Sequence, residues 1–213
     1  MTPKCILFDL DGTLTDSGPG ILNCARETFI HYGIPLPDDA TMRTMVGPPL
    51  RSSFLRFGFS EELVEEAIAH YRRLYMDHGI FDNTPYPGID RLLADLVAEG
   101  HRLFVATSKP EHMSVTILEH FGLAQYFDSI CGALMDGIRD KKEQVISCLL
   151  ERIGGAENAV MVGDTVFDVV GAKAHRMPTI GVSWGYGNAE QMRSAGAVAI
   201  ADSTEELYAL LNR

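Results

Sequence analysis

Cys5 to Phe8 form an unbroken apolar run, the pattern of a short strand buried on both faces. The run stops at Asp9, a second acid follows at Asp11, and Gly12 opens a turn. Further apolar runs at Leu103–Ala106, Phe127–Cys131, Ala159–Val162, Thr179–Val182 and Ala197–Ile200 predict five more strands. Helical spacing fills the gaps between them: Ile89 to Ala98, Pro110 to Phe121, Lys141 to Arg152 and Val166 to His175. Ser203-Thr204-Glu205-Glu206 reads as a capping box that opens a last helix. Strands alternating with helices predict a parallel sheet with right-handed crossovers.

One segment breaks this rhythm. Residues 17 to 80 carry several helical patterns and no good strand. Ser17 and Pro19 look like a helix start, Thr41 to Val46 is a short helical piece, and Ser60 is placed to cap a helix running to His78. Gly47-Pro48-Pro49-Leu50 is a turn between them. The expected architecture is therefore α/β: a Rossmann-like parallel core from residues 1–15 and 83–213, with an all-helical insert at 16–82. Thr15-Asp16 and the stretch from Asn83 to Tyr86 are the natural hinges.

The 213 residues carry 29 acidic and 18 basic side chains, a formal charge of -11. That surface repels nucleic acid and anionic membranes, so neither is expected as a partner. No apolar stretch approaches bilayer-spanning length, and Asp9 and Asp11 interrupt the first apolar run before it reads as a signal segment. The four cysteines, Cys5, Cys24, Cys131 and Cys148, include no C-x-x-C pair and suit a reducing cytosol. A cytoplasmic location is expected. The seven histidines show no ligand spacing, which argues against zinc.

The strand ends carry the chemistry. Asp9 and Asp11 point to one side if the backbone stays extended, and carboxylates this close need a cation or a shared proton between them. An Asp-rich turn also arises from turn propensity alone. Thr107-Ser108 ends a second strand; its hydroxyls and the N–H groups behind it suit an oxyanion, or simply cap the next helix. Lys141-Lys142 opens a helix against its dipole, a small local cost without a stated gain unless the pair is simply solvated. Gly163-Asp164 ends a fourth strand, with Asp168 one helical turn later. Each segment has an ordinary structural explanation, but all share the carboxyl edge of one sheet, where such folds bind ligands. Carboxylates gathered there are hard oxygen ligands suited to Mg²⁺.

On these residues the chain resembles the haloacid dehalogenase-like hydrolases over essentially its whole length, and within them the phosphoglycolate-phosphatase-like branch with a helical type-1 cap. Asp9-Leu10-Asp11-Gly12-Thr13 is similar to the first motif, Thr107-Ser108 to the second, Lys142 to the third, and Gly163-Asp164 with Asp168 to the fourth. The second motif reads Thr107-Ser108-Lys109 where Thr-Asn-Lys is frequent, and Lys142 lacks the Pro-x-Pro that often follows it.

The resemblance implies a Mg²⁺-dependent phosphatase that works through an aspartyl phosphate. Asp9 would be the nucleophile and Asp11 the acid and base. Thr107, Ser108 and Lys142 would hold the phosphoryl oxygens. Asp9, Asp164 and the Asp11 main chain would hold the metal, and Asp168 would orient Lys142 or the metal shell. In the insert, Gly47 lies in the stretch similar to the substrate-specificity loop, and Arg51 and Arg43 are candidates for the leaving group. The substrate would be a small phosphorylated metabolite such as phosphoglycolate or a nucleoside 5′-monophosphate, and the chain a monomer or homodimer. A sugar phosphomutase is the alternative within this chemistry. A dehalogenase fits less well, since Asp11 suits an alkoxide that needs a proton. A catalytically silent binding protein on the same fold is a third reading.

Overall fold

The computed structural model describes residues 4–135 and 138–213, so the expected core segments are covered apart from residues 1–3 and 136–137. In chain order the elements are β1 (Cys5–Phe8), β2 (Thr15–Asp16), α1 (Gly18–His31), α2 (Asp39–Arg43), α3 (Leu50–Arg56), α4 (Val64–Asp77) and β3 (Thr84–Pro85). They continue with α5 (Ile89–Ala98), β4 (Arg102–Pro110), α6 (Glu111–His120), β5 (Ser129–Ala133), α7 (Lys142–Ile153) and β6 (Ala159–Gly163). Last come α8 (Val166–Ala174), β7 (Thr179–Val182), α9 (Ala189–Ala195), β8 (Ala199–Ala201) and α10 (Thr204–Leu211).

Six strands form a parallel sheet in the order β5-β4-β1-β6-β7-β8. β1 lies inside the sheet, with β4 on one side and β6 on the other. The chain winds outward from it in both directions, so the carboxyl end of β1 sits at the switch point where open α/β sheets form their crevice.

The apolar runs are explained by their two faces. Ile6, Phe8, Leu103, Val105, Val160 and Val162 pack with α5, α6 and α10. Leu7, Phe104, Ala106 and Met161 alternate onto the other face, against Val145, Ile146 and Leu149 of α7 and Ala172 of α8. No helix of the described residues is long and apolar enough to cross a membrane.

The helices from α1 to α4 lie between β2 and β3, which pair antiparallel, Thr15 with Pro85 and Asp16 with Thr84. The two connections expected as hinges thus run side by side as a two-stranded ribbon. Phe29, Phe54, Phe59 and Tyr71 form the insert's own apolar centre, continuous with the core below.

Local differences have local causes. β5 starts at Ser129; just before it the Asp128 N–H donates to the Leu103 carbonyl of β4 and its carboxylate pairs with Arg102. Ser60 does not cap a helix side-on: its carbonyl accepts from Leu63 and Val64, and α4 starts a turn later at Val64. At the last helix, the Ser203 side chain accepts from the Glu206 N–H as expected, while Glu206 accepts from Asp202 rather than closing the box on Ser203.

Candidate active site

β4 and β5 keep register up to Ala106, then slip, and pair again at Pro110 with Ala133. This irregularity lifts Thr107, Ser108 and Lys109 out of the ladder and into a cavity of about 300 Å³. Asp9 and Asp11 line its floor; Gly47, Arg51 and one face of α4 line its roof.

Lys142 is the centre of the charge network. It is the first residue of α7, and its stem packs beside Gly171 of α8, where a Cβ would collide with it. Its ammonium lies 2.8 Å from Asp9 Oδ1 and 2.7 Å from Asp168 Oδ1, and donates to the Ala106 carbonyl at 2.9 Å. Burial would lower this ammonium's pKa, but Asp168 and Asp9 outweigh burial and hold it above the usual lysine range. Lys141 is exposed, so the structure brings Lys142, and not its neighbour, to Asp9. Asp168 is fully buried and both its oxygens are engaged: Oδ1 by Lys142, Oδ2 by the Thr165 N–H at 3.0 Å and the Thr165 hydroxyl at 2.8 Å.

Asp164 is fully buried with no cation among the described residues at ion-pair distance. Its Oδ2 accepts from the Tyr186 N–H at 2.7 Å, and the Thr13 hydroxyl stands 3.4 Å from Oδ1. Asp9, Asp164 and Asp168 each place a carboxylate oxygen within 4.8 Å of the others. Burial pushes the Asp9 carboxyl up to about 7 even though Lys142 pulls it down. Burial, with the charges of Asp168 and Asp9, pushes Asp164 up to about 8. Three acids held this close in a dry site carry one ammonium between them, a deficit that a hard divalent cation would remove. With Asp168 saturated and Asp9 Oδ1 held by Lys142 and the Leu10 N–H, Asp9 Oδ2 and the Asp164 oxygens are left to hold it. The donor set fits Mg²⁺. Gly12 is required here: its φ is 81°, and a Cβ would overlap the Asp164 carboxylate.

Some site residues had no assigned role in the sequence. Lys109 is buried and bonds both oxygens of Asp11 at 3.1 Å, with its ammonium 4.6 Å from the centre of the Tyr75 ring. Burial would lower its pKa; Asp11 and Tyr75 outweigh this and hold it well above the lysine range. Its signal was a cation directly behind two strand-end hydroxyls. Tyr186, in the loop after β7, joins the site to the ribbon: its N–H serves Asp164, while its hydroxyl donates to Asp16 and accepts from the Gly18 N–H at 2.6 Å. Its signal was position alone, after another strand's carboxyl end.

The insert's arginines divide. Arg51 lines the cavity, but its guanidinium is bound by Glu61 and Glu65. Arg43 is exposed on α2 and does not line the cavity. Arg72, which no motif marks, does.

A doubly wound sheet with an acid–lysine network at its switch point defines a class of phosphoryl-transfer enzyme, and the comparisons with known proteins agree. Residues 6–182 match the family model described as haloacid dehalogenase-like hydrolase, and the chain belongs to that family. It is 43% identical over 209 residues to a tyrosine-protein kinase PtkA of Mycobacterium tuberculosis, covering 97% of this chain and 72% of that one. It is 40% identical over 191 residues to a 5′-nucleotidase of Pseudomonas aeruginosa (89% and 86% covered) and 32% identical over 216 residues to a phosphoglycolate phosphatase of Rhodospirillum rubrum (96% and 89% covered). A solved structure from Clostridium acetobutylicum, described as a predicted phosphatase, superposes with a TM-score of 0.94 at 41% identity, covering 100% of this chain and 99% of that one. Family, branch and fold agree with the resemblance read from the sequence, and the chain is a phosphoric monoester hydrolase of the haloacid dehalogenase-like family.

Proposed function

We propose that this enzyme is a Mg²⁺-dependent phosphatase that hydrolyses a small phosphate monoester through an aspartyl phosphate on Asp9, with residues 16–82 acting as a cap over a core of residues 1–15 and 83–213. The observation that carries the reading is the buried set of Asp9, Asp164, Asp168 and Lys142 at the switch point of the sheet. When bound between Asp9 and Asp164, the metal supplies positive charge that a weak carboxylate nucleophile needs beside an anionic phosphate.

The chain's own groups do the rest. The Asp9 carboxylate forms a bond to phosphorus as the bond to the leaving oxygen breaks, and Asp11 gives that oxygen its proton. Water then attacks phosphorus, Asp11 takes its proton, and Asp9 and inorganic phosphate are released. Lys142 and Thr107, both buried beside Asp9, hold phosphoryl oxygens where charge spreads. Asp168 fixes Lys142. Lys109 holds both Asp11 oxygens, so it must release one before Asp11 can deliver a proton to a substrate.

For the substrate, a cavity of about 300 Å³ whose walls include Ile21, Met45, Leu50, Ile68 and Met113 has the size and character of a site for a drug-sized organic group. This supports a nucleoside 5′-monophosphate over the much smaller phosphoglycolate, and the 5′-nucleotidase relative agrees with it. Wild-type protein with Mg²⁺ should release phosphate from nucleoside monophosphates, and Asp9→Asn should lower the rate by at least about a thousandfold. Near-normal phosphate release by that variant would refute the nucleophile.

A further inference from the structure

α4 presents Ile68, Tyr71, Arg72 and Tyr75 to the cavity, the i, i+3, i+4, i+7 spacing of one helical face. Two hydrogen-bond donors on this face are unsatisfied among the described residues. Arg72 Nε is buried and has no hydrogen-bond partner among the described residues. Its guanidinium makes one long contact, Nη1 to the Met135 carbonyl at 3.4 Å, and no described carboxylate is at ion-pair distance. Tyr75 is 2% exposed, and its buried hydroxyl, which lies beside the Lys109 ammonium, has no acceptor for its proton among the described residues. Buried donors left unmet are costly, and two of them less than a turn apart on a cavity wall mark where a ligand's acceptors belong.

The other cations at the cavity are committed. Lys109 serves Asp11, and Arg51 serves Glu61 and Glu65. Arg72 is the one described cation of the cavity wall without an acid. Its neighbours on the roof, Ile68 and Tyr71, are apolar or aromatic, as are Met45, Leu50 and Met113 around it. Such a wall receives a flat, weakly polar body, and a guanidinium fork reads a planar edge of paired acceptors.

We propose that Arg72 and Tyr75 recognise the leaving-group end of the substrate, and that this end is a planar ring with an oxygen-acceptor edge, the chemistry of an oxo-nucleobase. The proposal rests on the phosphatase reading for the placement of phosphate at Asp9 and deepens it by naming what the cap reads. A carboxylate would also offer paired acceptors, but without the ring; the wall chemistry favours the ring.

The test separates this from turnover by measuring binding. In an Asp9→Asn background with Mg²⁺, calorimetry compares inosine 5′-monophosphate, phosphoglycolate and phenyl phosphate, before and after Arg72→Met or Tyr75→Phe. Loss of a charged donor to a ligand acceptor corresponds to about 10- to 100-fold in affinity. We expect Arg72→Met to lower the affinity for inosine 5′-monophosphate relative to phenyl phosphate by that factor, and Tyr75→Phe, which keeps the ring, by about 3- to 10-fold. Unchanged ratios in both variants would overturn the proposal. A loss confined to phosphoglycolate would overturn the nucleobase assignment. Tyr75→Phe decides the matter should Arg72→Met fail to fold. Phosphate release from phenyl phosphate by the wild type is scored separately, since its failure counts against the phosphatase reading and leaves the binding result standing.

Discussion

Asp168→Asn removes one negative charge and keeps the side chain's shape. Asp168 is fully buried: its Oδ1 is ion-paired with Lys142 at 2.7 Å, and its Oδ2 accepts from the Thr165 N–H and hydroxyl at 3.0 and 2.8 Å. An amide has one oxygen and one NH₂, so a donor must face a donor whichever way it turns. If the NH₂ faces Lys142, an ammonium meets it with no acceptor between; if it faces Thr165, the first turn of α8 loses its cap. Breaking a buried pair costs about 3–5 kcal/mol. Lys142 keeps Asp9 at 2.8 Å and the Ala106 carbonyl, so the low end, about 3 kcal/mol, applies. For a chain of this length that lowers Tm by roughly 6–12 °C. The ammonium, left with the Asp9 carboxylate and the Ala106 carbonyl, is drawn onto Asp9, and kcat should fall together with stability. Thermal melting followed by circular dichroism, with Michaelis kinetics below the transition, measures both. A loss under about 1 kcal/mol with unchanged kcat would show that Asp168 neither anchors Lys142 nor carries the buried charge balance.

Two further outcomes follow from the same geometry. Burial holds Asp9 at about 7 and Asp164 at about 8 without metal, above the ordinary aspartate value of about 3.9. The folded chain thus keeps protons there that the unfolded chain has lost, and what these two groups add to stability declines as pH rises from about 4 to about 8. Mg²⁺ must displace those protons, so the rise in Tm it produces should be larger at about pH 8 than at about pH 6. An equal rise at both, in melts with and without Mg²⁺, would show that it does not bind at these acids. Gly185→Ala should abolish Mg²⁺-dependent phosphate release and lower Tm, because its Cβ would overlap both the Asp164 carboxylate and the Gly12 carbonyl. Activity within about threefold of wild type, in a phosphate-release assay, would contradict the close approach of that loop to Asp164.

Much of the fold was legible along the chain. Cys5–Phe8 needed burial on both faces, and β1 indeed alternates Ile6 and Phe8 against Leu7 across the sheet. Ile89–Ala98 and Thr179–Val182 ended where turn signals and periodicity put them. The ribbon of β2 and β3 was not legible, because strands of two residues leave no period to read. α9 went unread in the same way, its seven residues being short for a helical pattern.

The site divides along the same line. Acids at the ends of β1 and β6 follow from local pattern, since a strand's end is a local event and a parallel sheet sends all its carboxyl ends to one edge. Which cation answers which acid does not follow. Lys109 and Asp11 are 98 residues apart, and Tyr186 and Asp16 are 170 apart. Arg51 looked free in the sequence because Glu61 and Glu65 reach it only once α3 and α4 pack together. No local pattern marks Arg72; the rotation of α4 turns it, and not Arg73, to the cavity. By itself the sequence determined the parallel sheet, the helical insert and the acids at its switch point, because periodicity and strand endings are set by neighbours in the chain. Tertiary structure alone decided the pairing of charges and which side chains line the cavity, because those depend on helix rotation and long-range packing that no local pattern encodes.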